Sequence, residues 1–326
     1  MLDRLEREIN YLRISVTDRC NLRCRYCMPP EGIFLKEHRD ILSFEEIEKI
    51  VRIGAELGIR KIRLTGGEPL IRRNLPDLVY KISRIEGIDD VAITTNGILF
   101  PALAAPLKEA GLNRVNISLD TLQKDRYHYI TRGGDITAAF KALETALAEG
   151  MEPVKVNTVL IKGFNDDEIL DFCRLAFDQP LHIRFIEFMP VGEVKYWHRE
   201  SMVRNSDVLS TVSKHYVLKP GKISRGNGPA KYFVLEGGKG SIGFISPMSN
   251  HFCSECNRLR LTADGKLRAC LYGGKEQDLK EALRNNQPTE EIKRIFTETL
   301  LSKPERHAMG EKPWGTRDRK MFQIGG

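Results

Sequence analysis

Seven cysteines occur in 326 residues, and three of them, Cys20, Cys24 and Cys27, fall within the eight residues CNLRCRYC. Clustered thiols in a reducing compartment point to metal binding or catalysis before disulfides. A structural zinc site closes with four ligands, and so does a fully ligated four-iron cluster. Three thiolates instead leave one iron of a cubane cluster open to a substrate or cofactor, and catalytic zinc follows the same open-position logic. A zinc loop with a distant fourth ligand is the plainer alternative. A second set, Cys253, Cys256 and Cys270, is spread over a longer stretch. A β-hairpin turning at Asp264-Gly265 sets Cys270 opposite Leu259 and so near Cys256. With His251 as a fourth ligand, this set also reads as a zinc knuckle. The last cysteine, Cys173 in DFCRLAF, reads as a small buried residue.

These thiols need a frame. From residue 11 to 190, β-rich runs alternate with helical stretches. Strands are predicted at 12–16, 61–65, 91–95, 114–119, 154–160 and 182–188. Between the first two, Ser43 and Glu46 fit a capping box, and Ile47, Ile50, Val51 and Leu57 recur at helical spacing. Similar patterns predict helices over 75–86, 101–110, 135–149 and 166–177. Six strands with intervening helices indicate parallel βα units, fewer than the eight of a closed barrel. The expected fold is α/β: a partial, open (βα)6 barrel, with a doubly wound sheet as the alternative. Cys20, Cys24 and Cys27 then follow the first strand, at the end of the barrel where active sites of such folds are built. After about residue 225 the character changes to short strands, a helix over TEEIKRIFTETLLS and a Gly/Pro/Lys/Arg-rich tail. The expected division is 1–224 for the barrel and 225–326 for a small α+β region.

Hydrophobic content of 41% and charged content of 29% are those of a globular chain. The first ten residues are charged and lack the apolar core of a signal peptide, and no apolar run approaches the roughly 18 residues of a membrane span. A cytoplasmic protein is expected. The net charge of +7 suits either a solvated surface or an anionic ligand. Concentrated Lys/Arg runs with interleaved aromatics are absent, which argues against nucleic acid.

C-x3-C-x2-C with Tyr26 before the third cysteine, joined to TGGEP (65–69) at the end of the second strand, resembles the radical S-adenosylmethionine (SAM) superfamily. The resemblance implies a 4Fe-4S cluster on Cys20, Cys24 and Cys27, with SAM chelating the open iron through its amino and carboxylate groups. Within that superfamily, nearly the whole chain is similar to the GTP 3′,8-cyclase family, which starts molybdenum cofactor biosynthesis. The similarity rests on RISVTDRCNLRCRYCMP, KIRLTGGEPLIRR, TTNG, NISLD, VKVN, RFIEFMP, FCSECNRLRLTADGKLRACL and the terminal GG. It implies a second 4Fe-4S cluster on Cys253, Cys256 and Cys270. Tyr26, Gly67, Ser118 and Met189 look like SAM contacts. Arg13, Arg63, Thr94 and Lys155, the segment Arg258, Leu259 and Arg260, and also Lys61 and Arg184, look like GTP contacts. Gly325 and Gly326 look like a tail entering the active site.

The family's implied partners are GTP, an external one-electron donor and a downstream cyclic pyranopterin monophosphate synthase. Neither nucleic acid nor a membrane is among them, and a homodimer is compatible with the sequence. The residues agree with this reading. The chain has no G-x-x-x-x-G-K-[ST] phosphate loop, so a triphosphate needs several separate cations. Arg13, Arg63, Lys155 and Arg184 lie on different strands and converge only inside a barrel, while Arg258 and Arg260 share a face by the period of two. Arginine's fork suits bidentate phosphate contacts. Arg317, Arg319 and Lys320 are expected to tether the tail over the anionic site. A peptide-modifying radical SAM enzyme with an auxiliary cluster is the nearest rival. A zinc protein binding nucleic acid is the rival of another class.

Overall fold

A computed structural model describes residues 1–34, 36–191, 198–221, 228–309 and 319–325. Its first six strands are β1 (Tyr11–Ser15), β2 (Lys61–Thr65), β3 (Asp90–Thr95), β4 (Arg114–Ser118), β5 (Val154–Leu160) and β6 (Leu181–Glu187). They pair in sequence order, every pair parallel. Helices α1 (Phe44–Glu56), α2 (Leu75–Ser83), α3 (Phe100–Glu109), α4 (Lys124–Thr131), α5 (Ile136–Ala148) and α6 (Ile169–Asp178) connect them. The sheet runs in an open strand order, as an open α/β barrel requires.

Alternation explains which way the sheet faces. Leu12 and Ile14, Ile62 and Leu64, Val91 and Ile93, Val115 and Ile117, Val154 and Val156, and Ile183 and Phe185 are buried in one apolar core. Helices α1, α2, α3, α5 and α6 add their apolar stripes to that core. Arg13, Arg63, Asn116, Lys155 and Arg184 stand between such pairs, and Thr94 and Asn157 come directly after them on β3 and β5. A two-residue period thus gives an oily outer face and a charged inner one. The start of α1 is the capping box read from the sequence. Glu46 N–H donates to Ser43 Oγ at 3.1 Å, and Ser43 N–H donates to Glu46 Oε2 at 2.7 Å.

The later strands are β7 (Leu218–Gly221), β8 (Lys231–Leu235), β9 (Ser241–Ile245), β10 (Arg258–Leu261), β11 (Lys266–Arg268) and β12 (Glu276–Asp278). They build no separate sheet. Strand β10 lies parallel beside β1 and β9 parallel beside β6, so these residues extend the barrel wall at both edges. Helices α7 (Asn205–Ser213), α8 (Leu279–Arg284), α9 (Thr289–Leu301) and α10 (Met321–Ile324) complete the described α-helices.

The hairpin between β10 and β11 differs from the sequence expectation by one residue. Arg260 pairs with Arg268 and Leu261 with Leu267, a register that puts Cys270 level with Arg258 rather than Leu259. The reason is a three-residue turn, Ala263-Asp264-Gly265. Thr262 N–H donates to Lys266 O across it, and Gly265 takes the left-handed φ of +82° that closes such turns.

Candidate active site

The loop after β1 carries the first three thiols. Cys27 N–H and Met28 N–H both donate to Cys24 O, a single helical turn that sets Cys24 and Cys27 side by side. The strand-end Gly66-Gly67 packs against the approach to this loop. Gly67 N–H donates to Thr17 O at 2.8 Å and Glu68 N–H to Arg19 O at 2.8 Å. A Cβ on Gly67 would overlap the Arg19 carbonyl, so the close approach requires glycine. Buried Glu68 then accepts from Thr95 Oγ1 (2.7 Å) and Asn96 N–H (2.7 Å), and Asn96 Nδ2 reaches Asn21 Oδ1 at 2.8 Å. Burial raises the Glu68 carboxyl to about 7.

Cys20, Cys24 and Cys27 are free thiols lining one cavity. Burial, and then each other's charge, raises Cys27 to about 12 and Cys24 well above its ordinary value, and burial raises Cys20 to about 11. Three half-buried thiols whose charges act on one another fit a group that brings its own positive charge. Tyr26, between the last two, donates to Asp120 Oδ2 at 2.6 Å and meets Phe188 edge-on at 5.9 Å. Asp120 also accepts from Val159 N–H at 3.0 Å, and burial raises it to about 6.

Cys253, Cys256 and Cys270 line the same cavity. Burial alone would raise Cys256, but Arg258, with Nη2 at 3.6 Å from Sγ, and Lys303 bring it down to about 6. Lys303 is fixed by Arg258 O and Ala269 O, each at 2.8 Å, which ties β10 to the residues leading into Cys270. His251 is engaged elsewhere, with Nδ1 at 2.9 Å from Pro247 O and 3.0 Å from His307 Nε2. Among the described residues, no three His, Cys, Asp or Glu side chains stand where they would hold a single metal ion. The donor sets suit a larger body carrying several metals better than one zinc ion.

Between the two thiol sets lies a row of cations. Arg13 pairs in register with Arg63 on one side and Arg260 on the other, so three guanidinium groups share the inner face of adjacent strands, which lie roughly 4.8 Å apart. Burial lowers Arg260 to about 9 and Arg63 to about 10, and burial followed by Arg260 and Arg63 lowers Arg13 well below its usual value. Arg184 donates to Asn116 Oδ1 at 2.8 Å, yet its Nε and that of Arg63 are buried without a hydrogen-bond partner. Thr65 Oγ1 and Asn157 Oδ1 are in the same condition. Such groups are costly in a finished core and ordinary in a ligand site.

The cavity holds about 330 Å³, within the range of small-molecule sites. Its wall brings together Arg13, Tyr26, Arg63, Gly67, Thr94, Ser118, Arg184, Met189, Arg258, Arg260 and all six clustered cysteines. Lys61, Lys155 and Leu259 are not in that wall. Lys155 is 3% exposed beside Arg184, Arg114 and Arg63, and Leu259 points into the apolar core. Gly325 is likewise absent from that wall, which Met321 and Phe322 join, but a Cβ on it would overlap Thr65 Oγ1, and Arg260 Nη1 donates to its carbonyl at 2.5 Å. Gly326 and Arg317 lie outside the described residues. Arg319 is bound to the carboxylates of Asp264 and Glu276, so it tethers the tail as expected, but through partners on the chain itself. Cys173 is buried in the core, as its helical setting predicts. Lys303 gave no signal in the sequence, and Glu68, Asn96 and Asp120 were visible within TGGEP, TTNG and NISLD but carried no sign of their partners.

An open parallel barrel with three thiols after its first strand and a cation-lined interior defines a radical SAM enzyme. Residues 14–176 match the family model "Radical SAM superfamily" and residues 181–309 match "Molybdenum Cofactor Synthesis C". Streptococcus suis SuiB has the same fold, with a TM-score of 0.58 at 13% identity over 84% of this chain and 64% of that one. Over full length in both chains, the sequence is 58% identical to the GTP 3′,8-cyclase of Syntrophomonas wolfei and 56% identical to that of Moorella thermoacetica. The chain belongs to the GTP 3′,8-cyclase family.

Proposed function

We propose that the protein converts GTP to (8S)-3′,8-cyclo-7,8-dihydroguanosine 5′-triphosphate, the first step of molybdenum cofactor biosynthesis. In that conversion ribose C3′ loses its hydrogen and bonds to C8 of guanine. The observation that carries the reading is one cavity lined by two three-thiol sets and a row of arginines. The first thiols, Cys20, Cys24 and Cys27, would hold a 4Fe-4S cluster and Cys253, Cys256 and Cys270 a second. When bound, the first cluster and SAM supply one-electron cleavage of SAM and hence a 5′-deoxyadenosyl radical.

The protein's own share is orientation and exclusion of water. Arg13, Arg63, Arg258 and Arg260 give a triphosphate a set of forked donors, and its negative charge relieves the repulsion along the row. Arg184, Thr94 and the buried Lys155 belong to the same electrostatic surround, with Lys61 further out on β2 and Leu259 offering only its backbone. Tyr26, Gly67, Ser118 and Met189 are assigned to SAM. Asp120 holds the Tyr26 hydroxyl, and Gly67 lets the strand end approach the cluster loop. Gly325 and Gly326 are assigned to the active-site tail, since glycines can approach bound ligands without a side chain in the way. Residues 1–224 are the barrel unit and 225–326 the unit that brings the second thiol set and β10.

An external one-electron donor, a cyclic pyranopterin monophosphate synthase acting on the product, a cytoplasmic location and a homodimer are parts of the same reading. For location, the supporting fact is that no described helix is long and apolar enough to cross a membrane. The test is an anaerobic incubation of cluster-loaded protein with SAM, a reductant and each nucleoside triphosphate in turn. Deoxyadenosine release that depends on GTP supports the reading. Release with a peptide alone would favour a peptide-modifying enzyme.

A further inference from the structure

Residues 319–325 reach the cavity by a route the sequence does not announce. Arg319 forks across two carboxylates. Its Nη1 and Nη2 meet Asp264 Oδ1 and Oδ2 at 3.0 Å each, and its Nε and Nη2 meet Glu276 Oε2 at 3.0 and 2.8 Å. Asp264 stands in the β10–β11 turn and Glu276 opens β12, so one side chain pins the segment to the far side of the hairpin. The Arg319 and Asp264 side chains are only 15% and 11% exposed, which protects the pair from screening by salt. Within the next five residues come buried Phe322 and Ile324, and Gly325 follows. Arg260 Nη1 donates to Ile324 O at 3.3 Å and Gly325 O at 2.5 Å. Arg260 is on the strand entering that same turn. The hairpin therefore grips the segment twice, once through a carboxylate and once through a cation of the active-site row.

We infer that Arg319 is a positioning residue: held by Asp264 and Glu276, it docks the C-terminal segment so that the carbonyls of Ile324 and Gly325 orient Arg260. The docking rests on the geometry alone, and its effect on turnover rests on the function proposed above. The carboxylates do not depend on Arg319 for compensation. Lys36 pairs with Asp264 at 3.0 Å, and Arg268 pairs with Glu276. Replacing Arg319 thus removes the grip without leaving a buried charge unpaired. Removing Asp264 would also break its bond from Thr262 Oγ1 (2.6 Å) and disturb the turn.

The experiment is hydrogen exchange on anaerobically purified, full-length protein carrying Arg319→Gln, with Arg319→Lys as the conservative comparison. Charge-assisted bonds of this kind make the expected change roughly tenfold or more. In Arg319→Gln the amides of residues 321–325 exchange at least that much faster while β10 and β11 keep wild-type protection, and Arg319→Lys restores part of the difference. Cyclised product falls in parallel. Unchanged exchange at 321–325 overturns the docking, and so does equal acceleration throughout the hairpin. Faster exchange with unchanged product would leave the docking standing and overturn only its role in turnover.

Discussion

Lys155 gives the proposed triphosphate site a pH signature. Burial, then the charges of Arg184, Arg114 and Arg63, lowers its ammonium to about 6. The groups facing it come from four other or shared strands: Arg184 and His182 on β6, Arg114 on β4, Arg63 on β2 and Asp90 on β3. His182 is lowered to about 4 by burial and then by Lys155 and Arg184, so it is neutral across the window and does not titrate. At pH 8 a group with this value is about 1% charged. A bound triphosphate places negative charge in the same basin and raises Lys155 toward its ordinary range. Binding then takes up close to one proton.

The sign follows from linkage. When the complex holds one proton more than the free protein, affinity falls about tenfold per pH unit between the free and bound values. From pH 7 to 8.5, GTP should bind about thirtyfold more weakly. Above about pH 7.5 the terminal phosphate is already fully ionised and adds little of its own. Calorimetry at pH 8 in two buffers of different ionisation enthalpy reads the proton directly. Uptake close to one in the wild type and close to zero in Lys155→Met is expected. Wild-type uptake near zero, or an equal pH slope in the Met variant, would refute the reasoning.

The two thiol sets should be separable: Cys24→Ala and Cys256→Ala each remove about four iron atoms per chain, read by iron and sulfide analysis. Cys24→Ala loses deoxyadenosine formation, whereas Cys256→Ala keeps some of it and loses cyclised product; cyclisation at the wild-type rate in Cys256→Ala would contradict this. Beneath the cavity, buried Arg114 donates its Nε to Asp90 Oδ1 at 2.9 Å. Arg114→Ala leaves that carboxylate uncompensated and should cost about 3–5 kcal/mol in denaturant unfolding, against under about 1 kcal/mol if the pair is idle. At Gly325, φ is +70° and a Cβ would overlap Thr65 Oγ1. Gly325→Ala should therefore lower cyclised product sharply at unchanged iron content and melting temperature, and unchanged turnover would show that the close approach has no role.

The barrel was legible because its signals are local. Leu12, Ile14, Ile62 and Leu64 alternate with Arg13 and Arg63, and Ser43 with Glu46 marks the start of α1 within four residues. What the sequence hid is non-local. Nothing near Arg258 says that β10 pairs with Tyr11–Ile14, or that β9 joins β6, so residues after 225 were expected to stand apart from the barrel wall. The hairpin register slipped by one because Asp264-Gly265 suits a two-residue turn, whereas the Thr262 hydroxyl, which accepts from Lys266 N–H at 2.9 Å, favours the three-residue one. Helix α4, KDRYHYIT, has too weak an apolar stripe to be read. The bond to Asp120 escaped notice for a similar reason: its partner Tyr26 is 94 residues away. The run Arg317, Arg319 and Lys320 suggested a tether for the tail, but charge alone could not name Asp264 and Glu276 as the partners of Arg319.

If one cavity brings C3′ of GTP to the carbon generated from SAM, the hydrogen that C3′ loses is recovered in deoxyadenosine. Cluster-loaded protein is incubated anaerobically with SAM, a reductant and GTP carrying deuterium at C3′, and the deoxyadenosine is weighed by mass spectrometry. Deoxyadenosine one mass unit heavier than that from unlabelled GTP is expected, with a product of the same formula as GTP but lacking the C3′ deuterium. Unlabelled deoxyadenosine, formed at the same rate with GTP absent, would contradict this.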